Sequence, residues 1–256
     1  MDYTISETYS LPSKGLIYAT PINPRISLRS MTTEEEMKRQ SHSDTPYKVM
    51  CDIISDCILG DKIPVYDLCL SDYQYLLHKL RVVTYGPDYS FVIKCPTCGA
   101  VQELSLNLDD LEVVEYDEES MKSKLDELLN LDLPMSKHKV TLSIQTPKML
   151  DNIELNIKEF KRKNKDSMVD RTLSYTLMEL INSVDGRVLS LPQKEAFVKK
   201  LPMKDANMII QASQKAADMF GVVANVETDC KECGGHIVTP FRFTTEFFRP
   251  TINFGR

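Results

Sequence analysis

The chain contains 256 residues and carries a formal net charge of −6 at pH 7. This acidic balance argues against a protein whose whole surface is built to bind nucleic acid. No apolar run in the sequence approaches the roughly 20 residues that span a bilayer, so we expect no membrane span. The N-terminal segment has an early Asp and Glu and no apolar core, so we expect a protein made in the cytosol, where thiols stay reduced.

Residues 1–30 predict an extended N-terminal arm, because three prolines and a glycine interrupt any regular pattern. A short strand is predicted at 25–31, where apolar and polar residues alternate. An arm of this kind buries too little surface to order by itself, so we expect it to order on a partner. Its partner-binding residues would be Leu11 and Tyr18.

Residues 31–108 predict N-terminal helices followed by a hairpin. Thr33 and Glu36 fit a capping box that begins a first helix. Helical spacing of apolar residues then predicts core-packed helices at 46–58 and 71–86. Directly afterwards the hydrophobic period changes to two, which predicts strand, tight turn and strand around a first CxxC pair.

The stretch 108–133 concentrates ten carboxylates against two lysines. We interpret 109–137 as an acidic linker, whose charges form either a solvated face or a docking surface for a basic partner. An alternating strand follows at 138–147, and helical spacing predicts helices throughout 148–219. We therefore assign 138–221 as a helical insert.

A second strand–turn–strand unit occupies 222–244 and holds the second CxxC pair. The two pairs are separated by 131 residues, 99 through 229. The last segment, 245–256, is an aromatic C-terminal peptide without helical spacing. We expect it to bind a partner in extended form through Phe247, Phe248 and Phe254.

The two CxxC pairs are predicted to bind one metal ion. Each pair supplies only two thiolates, whereas structural zinc takes four ligands in a tetrahedron. We therefore expect one structural Zn²⁺ per chain, held in a zinc ribbon by Cys95, Cys98, Cys230 and Cys233. Closing a loop of 131 residues instead of about 16 costs roughly 2 kcal/mol more. Structural zinc contributes about 10–16 kcal/mol in small peptides, so this separation is tolerable.

Three other interpretations of these cysteines remain open. A redox CxxC requires a following helix that lowers a thiol pKa, whereas alternating sequence follows both pairs. A catalytic zinc requires an open coordination position, which four thiolates do not leave. His236, three residues after Cys233, could also replace one of the ligands.

The sequence offers little else for catalysis. It contains no GxxxxGK[ST], GxGxxG, HExxH or GxSxG motif. Its four histidines are scattered, and we expect His78, on the 71–86 helix, to be a boundary residue between core and surface. We therefore predict no catalytic residues and no small-molecule substrate. The lack of interleaved basic and aromatic residues also speaks against stacking on nucleic acid.

Several segments resemble one known family. "LPSKGLIY" (11–18) followed by "LRSMTTEEEM" (28–37) is similar to the LPSxGxxY and LRxMTxxEE elements of baseplate hub proteins from contractile-tailed bacteriophages of the T-even type. The resemblance continues through "DKIPVYDLCLSDYQYLLHKLRVVTYGPDYSFVIKCPTCG" (61–99) and "VTLSIQTPKMLDN" (140–152). It covers roughly the first 150 residues and the returning CxxC pair.

This resemblance implies a non-enzymatic structural or assembly protein of the hub or inner baseplate of a contractile tail. Its partners would be other tail proteins, such as hub, spike or wedge components. It would be located in the virion, and in the host cytoplasm during assembly. The expected fold class is α+β, with a zinc ribbon assembled from two sequence-distant hairpins beside N-terminal helices and a helical insert. The alternative is a zinc-ribbon regulatory or nucleic-acid-binding protein, against which the sequence pI of about 5.4 counts.

Overall fold

The computed structural model describes residues 5–165, 168–223, 225–240 and 245–248 of the chain. Within these residues it forms eight α-helices and twelve β-strands. The helices are α1 (Thr33–Gln40), α2 (Pro46–Cys57), α3 (Leu70–Tyr85), α4 (Glu118–Leu129), α5 (Pro147–Lys163), α6 (Thr172–Leu180), α7 (Leu191–Lys200) and α8 (Met203–Ala217). The strands are β1 (Ser6–Ser10), β2 (Arg25–Arg29), β3 (Ile58–Leu59), β4 (Asp88–Lys94), β5 (Val101–Asn107), β6 (Val113–Val114), β7 (Asn130–Asp132), β8 (Lys139–Leu142), β9 (Ile181–Val184), β10 (Gly221–Val222), β11 (Asn225–Asp229) and β12 (His236–Pro240).

The strands of the described residues pair antiparallel in several small sheets. Strands β1, β2 and β3 form one three-stranded sheet, and β7, β8 and β9 form another. The others form the hairpins β4–β5 and β11–β12 and a pair between β6 and β10. The chain thus mixes helices with small sheets, which confirms the α+β class in its coarse form.

The larger hydrophobic core surrounds helix α3. Its predicted apolar stripe is buried along its whole length and packs with the buried residues of α2 and β2. The stripe comprises Tyr73, Leu76, Leu77, Leu80 and Val83. His78, which we expected at the boundary between core and surface, is also fully buried, with its Nε2 2.9 Å from the carbonyl oxygen of Leu108. Burial lowers the pKa of this histidine to about 4.

A second core joins helices α6 and α8 to the β7–β8–β9 sheet. The prediction of helices throughout 148–219 is wrong at Ile181–Val184, because these residues form β9 and pair with β8. A short apolar run fits both a helix end and a buried strand. Here the pairing with β8 stabilises Ile181–Val184 as a strand.

Residues 5–30, for which we expected an extended arm ordered by a partner, pack on their own chain. Strand β1 pairs with β2, and Leu11 is buried in the larger core. The carboxylate of Asp72 accepts hydrogen bonds from the N–H and the hydroxyl of Ser13. It also accepts the hydroxyl of Tyr18 at 2.6 Å. Strand pairing and a buried carboxylate therefore order this segment within the chain itself.

The first helix begins one residue earlier than the predicted capping box implies. Thr32, not Thr33, is the N-cap, and its N–H donates to the carboxylate of Glu35 at 2.7 Å. Glu35 also accepts a hydrogen bond from Arg29 at 2.6 Å. That bond, more than the bonds from Thr32, lowers the pKa of Glu35 to about 2. The repeated Thr and Glu residues allow two capping registers that are equivalent locally. The ion pair between Glu35 and Arg29 of β2 favours the register that begins at Thr32.

The acidic stretch is folded over much of its length. Helix α4 lies within it, and the carboxylate of its N-cap, Asp117, accepts the N–H of Ser120 at 3.2 Å. Leu125 of this helix packs with Ala216 and Phe220 in a smaller core. Most of the carboxylates are exposed, which fits a solvated helix face resting on the rest of the chain.

Three buried aspartates tie together segments that lie far apart in the sequence. Each side chain is fully buried, and each accepts backbone N–H groups from a distant segment. Asp72 binds Ser13, Asp151 binds Tyr47 and Lys48, and Asp205 binds Met135 and Ser136. Backbone donors of this kind offset the desolvation of a buried carboxylate. We call these three residues the aspartate clamps.

We expect Asp151→Asn to lower the free energy of unfolding by about 2–4 kcal/mol. Asp151 lies on α5, and its two oxygens accept the N–H groups that begin α2. An asparagine amide would place a donor against one of those donors. The measurement is urea denaturation at pH 7.

Asp52→Asn is the matched control, because Asp52 forms an exposed ion pair with Lys48 on the same helix at 2.7 Å. Its loss should change the free energy of unfolding by no more than about 0.5 kcal/mol. Equal effects of the two substitutions would contradict the clamp role of Asp151.

Candidate metal centre

The two CxxC pairs lie at the tips of two hairpins with the same backbone hydrogen bonds. In the first hairpin, the N–H of Cys95 donates to Ala100 at 2.8 Å and the N–H of Gly99 donates to Cys95 at 3.0 Å. The second hairpin repeats this pattern, from Cys230 to Gly235 and from Gly234 to Cys230, both at 2.9 Å. Gly99 and Gly234 have φ values of +78° and +67°, which explains why glycine follows each second cysteine.

The fold brings the four predicted cysteines together. The sulfur atoms of Cys95, Cys98, Cys230 and Cys233 all lie within 4.8 Å of one another. Cys95 and Cys233 are separated by 3.8 Å between their sulfurs, and Cys98 and Cys230 by 3.7 Å. A tetrahedron with metal–sulfur bonds of about 2.3 Å has edges of about 3.8 Å. The four sulfurs are therefore spaced as the ligands of one tetrahedral metal ion.

A buried glutamine holds the two hairpins beside each other. The side-chain amide of Gln102, on β5, donates to the carbonyl of Asp229 at 3.2 Å and accepts the N–H of Lys231 at 2.9 Å. Ile93 and Ile237, one from each hairpin, are buried next to the cysteines. The sequence pattern did not single out Gln102, because a polar residue in an alternating strand gives no sign of a partner 127 residues away.

The electrostatics of the cluster favour one thiolate over several. The backbone N–H of Cys98 donates to the sulfur of Cys95 and lowers the pKa of that thiol to about 6. At Cys233 the N–H of Gly235 acts in the same direction, but the neighbouring thiols outweigh it and raise the pKa to about 12. The pKa of Cys98 is raised as well. Four thiolates at this spacing therefore need a cation between them.

The surroundings distinguish the interpretations that the sequence left open. Strands β5 and β12 follow the two pairs, so the site lacks the helix that activates a thioredoxin-type cysteine. His236 is exposed, and its Nδ1 lies 3.1 Å from the carboxylate of Asp229. This histidine is not part of the four-sulfur cluster.

The predicted partner-binding residues do not form a common surface. Leu11, Phe247 and Phe248 are buried in the larger core of their own chain, so in this conformation they offer a partner no surface. The short turn that holds the two phenylalanines is bound by Arg81, whose Nε donates to the carbonyl of Phe247 at 3.0 Å. Tyr18 is half-buried and bound to Asp72. Phe254 lies outside the described residues.

Comparison with known proteins gives one result. A family model described as "T4 bacteriophage base plate protein" matches residues 3–249. That match includes both hairpins and the whole segment between them. Neither the comparison with curated proteins nor that with solved structures gave a match. Among the described residues, no helix is long and apolar enough to cross a membrane.

We expect the metal-free protein to bind one Co²⁺ per chain, with the visible and near-ultraviolet absorption of a tetrahedral four-thiolate site. Cys98→Ser and Cys230→Ser should weaken binding to a similar degree, because each removes one of four ligands from one site. Cys57→Ala is the matched control, since Cys57 is buried in the larger core, away from the cluster. Binding at two independent sites, or loss in only one of the two Ser variants, would refute a shared site.

Proposed function

Because this chain belongs to the T4 bacteriophage base plate protein family, we propose that it is a non-enzymatic structural or assembly component of the hub or inner baseplate of a contractile tail. The observation that carries the proposal is the family match over residues 3–249, nearly the whole chain. Membership confirms the baseplate family that the N-terminal motifs resemble. It also implies a location in the phage tail and contacts with other tail proteins.

The metal that we propose for the cluster is a single structural Zn²⁺. Soft thiolate ligands favour zinc, copper(I) or iron–sulfur clusters, and a tetrahedral four-sulfur site is typical of zinc. The sulfur spacings of 3.7 and 3.8 Å support one ion rather than a larger cluster. In this role zinc stabilises the fold, because it joins the two hairpins at the ends of the segment between them.

A non-enzymatic role is supported by how the buried polar groups are used. Four thiolates around one zinc would leave no position for a substrate or an activated water. The oxygens of the aspartate clamps accept backbone N–H groups and hydroxyls of their own chain, and the Nε2 of buried His78 lies near a backbone carbonyl. These groups serve folding in the described part of the chain.

The proposed partners are hub, spike or wedge components, met in the host cytoplasm during assembly and retained in the virion. The residues that we predicted to bind partners support this less than we expected, since Leu11, Phe247 and Phe248 are buried. We therefore expect partners to bind surfaces that stay exposed after the chain has folded.

Removal of zinc should destabilise the whole chain. Structural zinc contributes at least about 10 kcal/mol in small peptides. A loss of only half of that free energy would lower the unfolding midpoint by roughly 10–20 °C for a chain of this size. Differential scanning calorimetry with and without a chelator measures it, and re-addition of Zn²⁺ should restore the midpoint. An unchanged midpoint in fully demetallated protein would overturn the structural role.

Quantitative mass spectrometry of purified virions and infected-cell lysate should detect this chain in both. We expect a constant ratio to the other baseplate proteins in virions, because a structural component is retained at fixed copy number. Presence in lysate alone would indicate a transient assembly factor. Absence from virions and from purified assembly intermediates would refute the proposed function.

A further inference from the structure

A groove of about 370 Å³ lies between β4 and β12. Residues of these two strands and Pro96 of the first turn line it. Strand β4 pairs only with β5, and β12 only with β11, in the described part of the chain. Both walls of the groove are therefore strands with one open edge.

The hairpin ladder shows which backbone groups face that open edge. Hydrogen bonds join Pro87 to Leu108 and Cys95 to Ala100, which are both paired positions of the β4–β5 register. Directly opposed antiparallel residues alternate between hydrogen-bonded and non-bonded pairs. The even-numbered residues of β4 therefore direct their N–H and C=O groups away from β5. These residues are Asp88, Ser90, Val92 and Lys94.

In three of these four residues the outward N–H and C=O groups are unpaired among the described residues. The carbonyl of Asp88 accepts a hydrogen bond from Arg81 at 3.3 Å. No other described residue bonds the outward N–H and C=O groups of Ser90, Val92 or Lys94. By the same alternation, β12 directs outward only the groups of His236 and Val238 and a proline that has no N–H. The longer open edge is that of β4.

Exposed apolar side chains accompany the open edge. Val92 is 68 % exposed and Val238 is 55 % exposed, and both line the groove. Natural edge strands are usually protected by charges, prolines or bulges. The centre of β4 has none of these, because its charged residues, Asp88 and Lys94, stand at the two ends.

We propose that this groove receives an extended segment of a neighbouring baseplate protein, which adds to the outer edge of β4 as a further strand. Free N–H and C=O groups at every second residue are the complement of an extended backbone, and exposed valines select apolar side chains on the incoming strand. A helix could not pair with such an edge, because its own backbone groups are already bonded. The inference rests on the proposed function and specifies how the partner is recognised.

The test compares two proline substitutions in phage baseplates. Val92→Pro removes one outward N–H from the groove edge of β4 and leaves the β4–β5 ladder intact. Val101→Pro is the matched control, since Val101 is 67 % exposed and its N–H also points outward, but from β5 on the opposite edge. We expect the Val92→Pro content of purified baseplates to fall about tenfold or more. The Val101→Pro content should stay within about twofold, and both variants should keep wild-type metal content and cooperative unfolding.

Hydrogen exchange of the wild-type chain gives an independent readout if either variant fails to fold. In the dilute free chain the amides of Ser90, Val92 and Lys94 should exchange rapidly, because they are unpaired. In assembled baseplates they should slow by roughly a hundredfold, as in a sheet interior. Unchanged exchange on assembly, or equal incorporation of both proline variants, would overturn the proposal.

Two other occupants give different results, and either would overturn the proposal. If residues 249–256 fill the groove, the β4 amides are already protected in the dilute chain and deletion of those residues exposes them. If a second copy fills it, protection rises with the concentration of the purified chain. Absence of the wild-type chain from both virions and purified assembly intermediates would overturn the proposed function and this inference with it. Presence of wild type together with undiminished Val92→Pro would overturn the inference alone.

Discussion

The convergence of four cysteine sulfurs within 4.8 Å is the constraint on which the rest of the structure depends. The pKa of the Cys95 thiol is lowered to about 6, whereas that of Cys233 is raised to about 12. The divalent cation that we propose would remove the repulsion between four thiolates and would join hairpins whose CxxC pairs are separated by 131 residues. Helices α4 to α8 and the β7–β8–β9 sheet then lie in a loop whose two ends meet at the cysteine cluster. The closure entropy, which grows only with the logarithm of loop length, is small against the binding energy of a four-thiolate site.

Joining the two hairpins does not by itself determine how the segment between them packs on the N-terminal part of the chain. Asp151, one of the aspartate clamps, provides a connection between these two parts. Asp151 on α5 binds the first N–H groups of α2 and the hydroxyl of Tyr66, so one carboxylate joins the segment between the hairpins to the larger core. Asp72 joins the N-terminal strand segment to α3 within the larger core, and Asp205 joins the turn before β8 to α8 within the segment between the hairpins. Such bonds are directional, and a misplaced segment would leave a buried carboxylate without donors. The clamps therefore select one arrangement, whereas apolar burial alone would tolerate several.

The sequence predicted features that short-range patterns encode. The apolar stripe of α3, the two hairpins and their four cysteines all follow from spacing within about ten residues, and the structure has them where expected. It could not predict features decided by side-chain or strand partners on another element. The capping register at Thr32 depends on Arg29, the strand at Ile181–Val184 depends on β8, and the bridge at Gln102 depends on the second hairpin. Aromatic residues near the C-terminus have the composition of an interface, yet Phe247 and Phe248 complete the chain's own core.

The same four cysteines link stability to recognition. They lie at the tips of both hairpins, so the separation of β4 from β12 along the groove is set at one end by the sulfur cluster and also by the hydrogen bonds of Gln102. If the metal were lost, the two open edges would be free to move apart or to pair with each other, and neither state would present a groove of fixed width. For the docking groove that we propose, a four-thiolate metal shell would supply rigidity without an exchangeable ligand, and it would leave the outer edge of β4 open to another protein.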